Sequence, residues 1–279
     1  MRAPFATVAM LLFTSAAASA DPLTCNLSDY RPAAGLTATV ANDALTVTWD
    51  GDSGQQVRLR MTVMSGVPTI AELAVRPQRG DWKAVATGVT PDYRVVSGVR
   101  RVTEQQLQPL RGLKVELTKE LIDRIKWDAF WDAPLNTEPL ENTRMGAIPP
   151  PKGLLDQPAL PRKPEEIKRA TATYAARGCD VKTNGARLEV SFDGVQLGVF
   201  NGRLQYSIYR GTNLIEQEVI AKTDVDSVAY KYEGGLKGLR IDASSRVAWR
   251  DVSNIWQDYR FGGAPNTDIV PLRAQNRLV

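Results

Sequence analysis

From residue 36 to residue 101, apolar and polar positions alternate with a period of two, the spacing that sends successive side chains to opposite faces of an extended strand. Thr37-Ala38-Thr39-Val40 and Leu45-Thr46-Val47-Thr48-Trp49 flank Asn42-Asp43. Asn and Asp tolerate positive φ, so this segment predicts a tight hairpin, with Asp50-Gly51 ending its second strand. In Val57-Arg58-Leu59-Arg60-Met61-Thr62-Val63 the apolar residues share one face and the basic or polar ones the other. Residues 70–75 and 82–86 repeat the pattern, separated by breaks at Gly66, Pro68 and Gly80.

The period changes once. Thr118 suits a helix N-cap, and Leu121, Ile122, Ile125 and Ala129 follow at helical spacing. Trp127, Phe130 and Trp131 give the end of this helix an apolar surface that predicts docking on a sheet, and Pro134 stops it. Of the 17 prolines, eight then lie between Pro134 and Pro164, including Pro149-Pro150-Pro151. That composition predicts an extended excursion at residues 133–164, within one domain rather than between two.

Beyond Arg169 the strand pattern returns. Val181-Lys182-Thr183 and Ala186-Arg187-Leu188-Glu189-Val190 flank Asn184-Gly185, a type I′ hairpin signal, and Asn201-Gly202 reads as a further turn before residues 204–209. Residues 214–222, 227–232, 246–250 and 255–261 continue as strands. Many strands at short intervals with one short docked helix predict an all-β fold, an antiparallel β-sandwich.

The first twenty residues stand apart. Arg2, the apolar run from Phe5 to Phe13 and Ala18-Ser19-Ala20 have the order of a secretory signal peptide cleaved before Asp21. The run is shorter than the roughly 20 residues a bilayer span needs, and no later stretch supplies one. Pro22-Leu23-Thr24 before Cys25 lacks the small residue of a lipidation box. The mature domain, residues 21–279, is therefore expected outside the cytoplasm and not membrane-spanning. Arg277-Leu278-Val279 closes the sequence within an apolar, strand-like stretch, which predicts a domain truncated at its C-terminus.

Composition narrows the chemistry. The formal charge is only +4, one unit of it Arg2, and the basic residues are scattered along strands. Nucleic-acid binding calls for a dense basic stripe with interleaved aromatics, so it is not expected. The chain has no histidine, which removes Ser-His-Asp and Cys-His catalysis and histidine-ligated zinc. Neither a Cys-x-x-Cys pair, a carboxylate-rich calcium loop nor a glycine-rich phosphate loop occurs, so no metal and no cofactor is expected. Cys25 and Cys179 are the two cysteines. In an oxidising compartment they form either a disulfide worth about 4–5 kcal/mol in the chain-entropy treatment or two separate buried thiols.

What remains as candidate chemistry is carboxylate, lysine and aromatic. Glu216, Glu218 and Lys222 share one strand face, where the carboxylates could serve as acid and base or line a sugar site, or form a solvated outer surface. Tyr230, Tyr232, Trp249, Trp256 and Tyr259 gather in neighbouring strands with Lys231, Arg250, Asp251 and Asp258. Such a mixture suits carbohydrate recognition and also an ordinary sandwich edge.

The segment Tyr206-Ser207-Ile208-Tyr209-Arg210-Gly211-Thr212-Asn213-Leu214-Ile215-Glu216-Gln217-Glu218 resembles the long-strand region of galactose-mutarotase-like supersandwich domains. Residues 218–238, Val247-Ala248-Trp249-Arg250-Asp251, Trp256-Gln257-Asp258-Tyr259-Arg260-Phe261-Gly262-Gly263 and residues 272–279 are similar to the N-terminal half of large secreted bacterial proteins. There, such a domain precedes a PHP-like metallohydrolase domain. The mutarotase histidines have no counterpart, so the resemblance does not imply epimerase activity. The metal ligands of the PHP-like class would lie beyond Val279. The expectation is thus a secreted, non-catalytic β-sandwich module that binds saccharide at Glu216, Glu218, Lys222, Lys231, Trp249, Arg250, Trp256 and Tyr259, or that packs against a missing C-terminal hydrolase domain. The alternative is a carbohydrate-active hydrolase or lyase that works through carboxylates.

Overall fold

The computed structural model describes residues 22–100, 102, 104–126, 166–240, 246–251 and 253–260. The signal peptide, the proline-rich excursion at 133–164, the aromatic residues Trp127, Phe130 and Trp131, and the C-terminal stretch lie outside the described residues. The chain divides into two compact units, Met1–Leu236 and Lys237–Val279.

The first unit is an all-β sandwich. One sheet is built from β1 (Thr24–Asn26), β8 (Thr173–Tyr174), β9 (Gly178–Asn184), β10 (Arg187–Leu197), β11 (Phe200–Tyr209) and β12 (Ile215–Lys222), in the order β1-β9-β10-β11-β12 with β8 against β10. The other is built from β2 (Leu36–Ala41), β3 (Ala44–Asp50), β4 (Gln56–Met64), β5 (Val67–Arg76), β6 (Lys83–Val99), β7 (Lys168–Thr171) and β13 (Val228–Lys237). Its order is β13-β6-β5-β4-β3-β2, with β7 also against β6. The printed ladders are antiparallel apart from β1 with β9.

The period-two pattern fills the space between the sheets. Leu45, Val47 and Trp49 of β3 and Val57, Leu59, Met61 and Val63 of β4 belong to one cluster with Leu188, Val190 and Phe192 of β10 and Leu204, Tyr206 and Ile208 of β11. None of these is more than 2% exposed. At about 1.5–3 kcal/mol for each large apolar side chain removed from water, this cluster is the main driving force of the fold. One end is tied across the layers: the Trp49 indole donates to the Thr212 carbonyl at 2.7 Å, and the Gly211 amide to the Asp50 carbonyl at 2.6 Å.

The hairpin at Asn42-Asp43 forms as the sequence predicts, with φ of 50° and 55° and Ala41 opposite Ala44. Ser65-Gly66 makes the same kind of turn, at φ of 50° and 79°. Three expectations shift. Pro68 is not a break but lies within β5 opposite Val63, tolerated because the β6 ladder reaches only as far as Ile70. The β9–β10 turn is Gly185-Ala186 rather than Asn184-Gly185: Asn184 pairs with Arg187, and Gly185 takes the positive φ (61°) that a II′ turn demands of its first residue. Asn201-Gly202 is no turn at all. It lies inside β11, because β10 and β11 are joined at residues 198–199, where Gly198 supplies φ of 63°. Gly202 has a different task, since a Cβ there would sit 2.0 Å from the Ile220 carbonyl oxygen of β12.

Two short helices are described. α2 (Lys119–Arg124) starts where predicted, with Thr118 Oγ1 accepting from the Leu121 amide at 3.2 Å. It buries none of its residues, so the docking expected of it concerns the aromatic residues that follow. α1 (Glu104–Gly112) was not expected from the sequence; Gln106 donates to the Ile125 carbonyl at 2.8 Å and ties the two together. Cys25 stands directly opposite Cys179 across the parallel β1–β9 pair, and the two are bridged. Among the described residues no helix is long and apolar enough to cross a membrane. In the second unit, β14 (Arg246–Arg250) and β15 (Trp256–Arg260) form a hairpin.

Candidate functional site

The residues expected to act together fall in three places. Glu216, Glu218 and Lys222 do share the outer face of β12, as alternation requires. In the ladder with β11 they stand opposite Ser207, Gln205 and Asn201. Glu216 accepts from the Tyr209 hydroxyl at 3.3 Å and Glu218 from Gln205 Nε2 at 3.1 Å. Both carboxylates are thus engaged along the sheet surface.

The next strand adds a carboxylate that sequence reasoning passed over. Glu189 of β10 faces Ser207 from the side opposite Glu216. It meets Arg187 at 2.5 Å and accepts from Asn184 Nδ2 at 3.0 Å. Partial burial disfavours its charged form, yet the Asn184 hydrogen bond and the Arg187 guanidinium outweigh that and hold its carboxyl below the ordinary value. Arg187 also donates to Tyr209, so Asn184, Glu189, Arg187, Tyr209 and Glu216 form one polar chain across the outer face. Between the two carboxylates, Ser207 is fully buried and its hydroxyl finds no partner. A carboxylate held ionised by a guanidinium is suited to accepting hydrogen bonds; it does not resemble a general acid, whose proton has to be retained near neutral pH.

Lys231 lies elsewhere. It is on β13 of the other sheet, where β7, β6 and β13 run side by side and enclose a cavity of about 270 Å³. Arg94 and Val96 of β6 pair with Thr171 and Arg169 of β7, and Lys231, Tyr232 and Glu233 of β13 complete the lining. Three cations and a single acid therefore converge on one concavity, with the Tyr232 ring largely exposed beside them. Arg94 meets Asp92 at 3.2 Å. Val95 and Ala170, which also line the cavity, belong to or pack against the core, so the concavity rests on rigid sheet. Arg94, Arg169 and Glu233 carry no local motif. They come together because residue 169 is hydrogen-bonded beside residue 96 across a long gap in sequence, and only the topology reveals it.

Trp249, Arg250, Trp256 and Tyr259 are on the β14–β15 hairpin of the second unit. The pairing register places Arg250 opposite Trp256, but Trp249 opposite Gln257 and Tyr259 opposite Val247, which divides the four between both faces of the ribbon. They do not form one platform. Asp251 is absorbed by the turn, accepting from the Ile255 and Ser253 amides at 3.0 and 2.9 Å and from Gln257 Nε2 at 2.9 Å. The Ile255 amide and the Gln257 side chain hold its carboxyl below the usual carboxylate range. Trp256 is exposed.

One further cationic group is self-contained. Arg58 and Arg76 lie 4.4 and 4.5 Å from the Trp82 ring centroid, while Arg58 is fully engaged by both Glu72 oxygens at 3.0 Å. Among the described residues no cluster of His, Cys, Asp and Glu suits a metal ion.

No family model, no curated protein and no solved structure matches the chain.

Proposed function

We propose that this chain is a secreted, non-catalytic saccharide-binding module of a longer protein, and that its ligand is an acidic sugar held in the β7–β6–β13 cleft. The observation that carries the reading is the convergence of Arg94, Arg169 and Lys231 on one concavity beside the exposed Tyr232 ring. A uronic-acid carboxylate would accept from the guanidinium groups, and charge-assisted bonds of this kind are about twice as strong as neutral ones. The Tyr232 ring offers an apolar face to sugar C–H bonds, and Glu233 an acceptor for hydroxyls. The sequence resemblance to the supersandwich half of PHP-like metallohydrolases agrees with a binding or positioning role alongside a separate catalytic domain. The carboxylate alternative has less to support it, because Glu216 and Glu218 are bound along the sheet and neither lines the cleft.

Calorimetric titration with an oligogalacturonate and with a neutral malto-oligosaccharide of equal length tests the reading. Binding of the acidic ligand alone, weakened tenfold or more by Arg169→Ala, is the expected result. Unchanged affinity in Arg169→Ala and Arg94→Ala, or no binding of either sugar, would remove the cleft as a saccharide site. Equal competition by inorganic phosphate would reduce it to a bare anion site.

A further inference from the structure

β13 is an edge strand: its neighbour is β6, and among the described residues no strand pairs with its other side. Edges of this kind are templates for a further strand unless they are blocked. From Tyr230 to Lys237 every residue is exposed, and Tyr230, Tyr232 and Leu236 add apolar surface. The strand carries no proline and is not shortened, so two of the usual devices for blocking an edge are missing.

The order of residues says what would pair there. Reading outward from Tyr232, Lys231 is matched by Glu233, Tyr230 by Gly234, Ala229 by Gly235 and Val228 by Leu236. An antiparallel pair of two such strands centred on Tyr232 would set each Lys231 against the other copy's Glu233, twice, by the two-fold symmetry of the pair. Each Tyr230 ring would cover the other copy's Gly234, where there is no side chain to obstruct it, and opposite charges directly across an antiparallel ladder are favourable. Registers displaced by one or two residues set like charge against like charge or leave Lys231 without its partner. The Gly235 carbonyl already accepts from Gln217 Nε2 at 3.1 Å, so the available edge runs from Val228 to Gly234.

We propose that β13 pairs antiparallel with β13 of a second copy of this chain, about a two-fold axis through Tyr232, joining the two seven-stranded sheets into one. This interface is independent of ligand and goes beyond the binding reading above.

Sedimentation velocity of the purified chain over a range of concentrations, without saccharide, tests it. The wild type is expected to reach twice the monomer mass. Lys231→Glu and Glu233→Lys should each lose the dimer, and the double exchange should recover it. In addition, Tyr232→Cys should form a disulfide-linked dimer on mild oxidation, whereas Tyr230→Cys, which faces Gly234 of the other copy, should not. The native cysteines do not interfere because Cys25 and Cys179 are bridged to each other. A wild type that stays monomeric at every concentration overturns the proposal, as do single variants that dimerise like the wild type or a double exchange that remains monomeric.

Discussion

Tyr206 of β11 and Gln217 of β12 are direct cross-strand partners, and each keeps one buried polar atom without a partner, the phenol oxygen of the first and the amide Oε1 of the second. Gln217 directs its Nε2 to the Tyr93 hydroxyl at 3.4 Å and to the Gly235 carbonyl, which leaves Oε1 over. Tyr93 in turn donates to the Gln217 carbonyl at 3.0 Å, and burial pushes the phenols of Tyr93, Tyr174 and Tyr206 above their ordinary pKa. The edge where β12 and β13 approach is therefore a tyrosine cluster inside an apolar core.

An unpaired buried hydroxyl costs about 1–3 kcal/mol, so removing it should do no harm. Tyr206→Phe is expected to leave stability unchanged or raise it by about 1 kcal/mol, read from the midpoint of urea unfolding. A loss of more than about 1 kcal/mol would mean that an ordered water joins the phenol to Gln217 Oε1, and the variant would then have broken a real bond.

The disulfide spans a sequence separation of 154 and fastens the short β1 to β9. Constraining so long a loop in the unfolded chain is worth about 4–5 kcal/mol in the entropic treatment. Reduction, or the paired change Cys25→Ser with Cys179→Ser, should lower the unfolding free energy by about 2–5 kcal/mol. Thiol titration of the denatured, unreduced protein should find no free thiol, and two free thiols would refute the bridge.

Glu189 makes the outer face acid-sensitive. Its carboxyl is held below the ordinary 4.5 in the folded state, so the charged form is favoured by folding. The stability this adds is fully present above about pH 4.5 and is lost as pH falls through the lower folded value. Glu189→Gln removes the titrating group. Its melting temperature should fall less steeply between pH 5 and pH 3 than that of the wild type, and parallel curves for the two proteins would show that Glu189 is not responsible.

Much of the sandwich was legible because alternation is a local property: β2, β3, β4, β9 and β10 announce themselves residue by residue. Where reading failed, the deciding contact lay far away in sequence. Asn201-Gly202 has turn chemistry, yet the glycine is there to let the β12 backbone approach, which only the β11–β12 pairing explains. β6 was expected to end near Ala86, with Pro91-Asp92 in the way, but it runs to Val99 because Tyr93, Val95 and Ser97 are buried beneath neighbouring strands. α1 carries Pro109 and only a few apolar residues, so it leaves little periodic signal. The same limit scattered the candidate site. Glu216 and Glu218 share a face because they are two residues apart, whereas Arg94, Arg169 and Lys231 share a cleft only through strand order.

The tryptophans separate core from surface most sharply. Trp49 is 1% exposed, and its indole N–H donates to the Thr212 carbonyl in the loop between β11 and β12. Trp49→Ala should cost about 3–5 kcal/mol through lost burial and the cavity left behind. Trp49→Phe keeps most of the volume but strands that carbonyl, and should cost about 1–3 kcal/mol. Trp256 is 64% exposed on β15, where its ring contributes little to any core. Trp256→Ala should therefore change stability by less than about 0.5 kcal/mol. If the hairpin also contributes to the proposed saccharide surface, titration with an oligogalacturonate should shift the wild-type tryptophan emission and leave Trp256→Ala emission unmoved. A Trp256→Ala protein that loses several kcal/mol would place this ring in a core and remove it from the binding surface, leaving the β7–β6–β13 cleft to account for recognition alone.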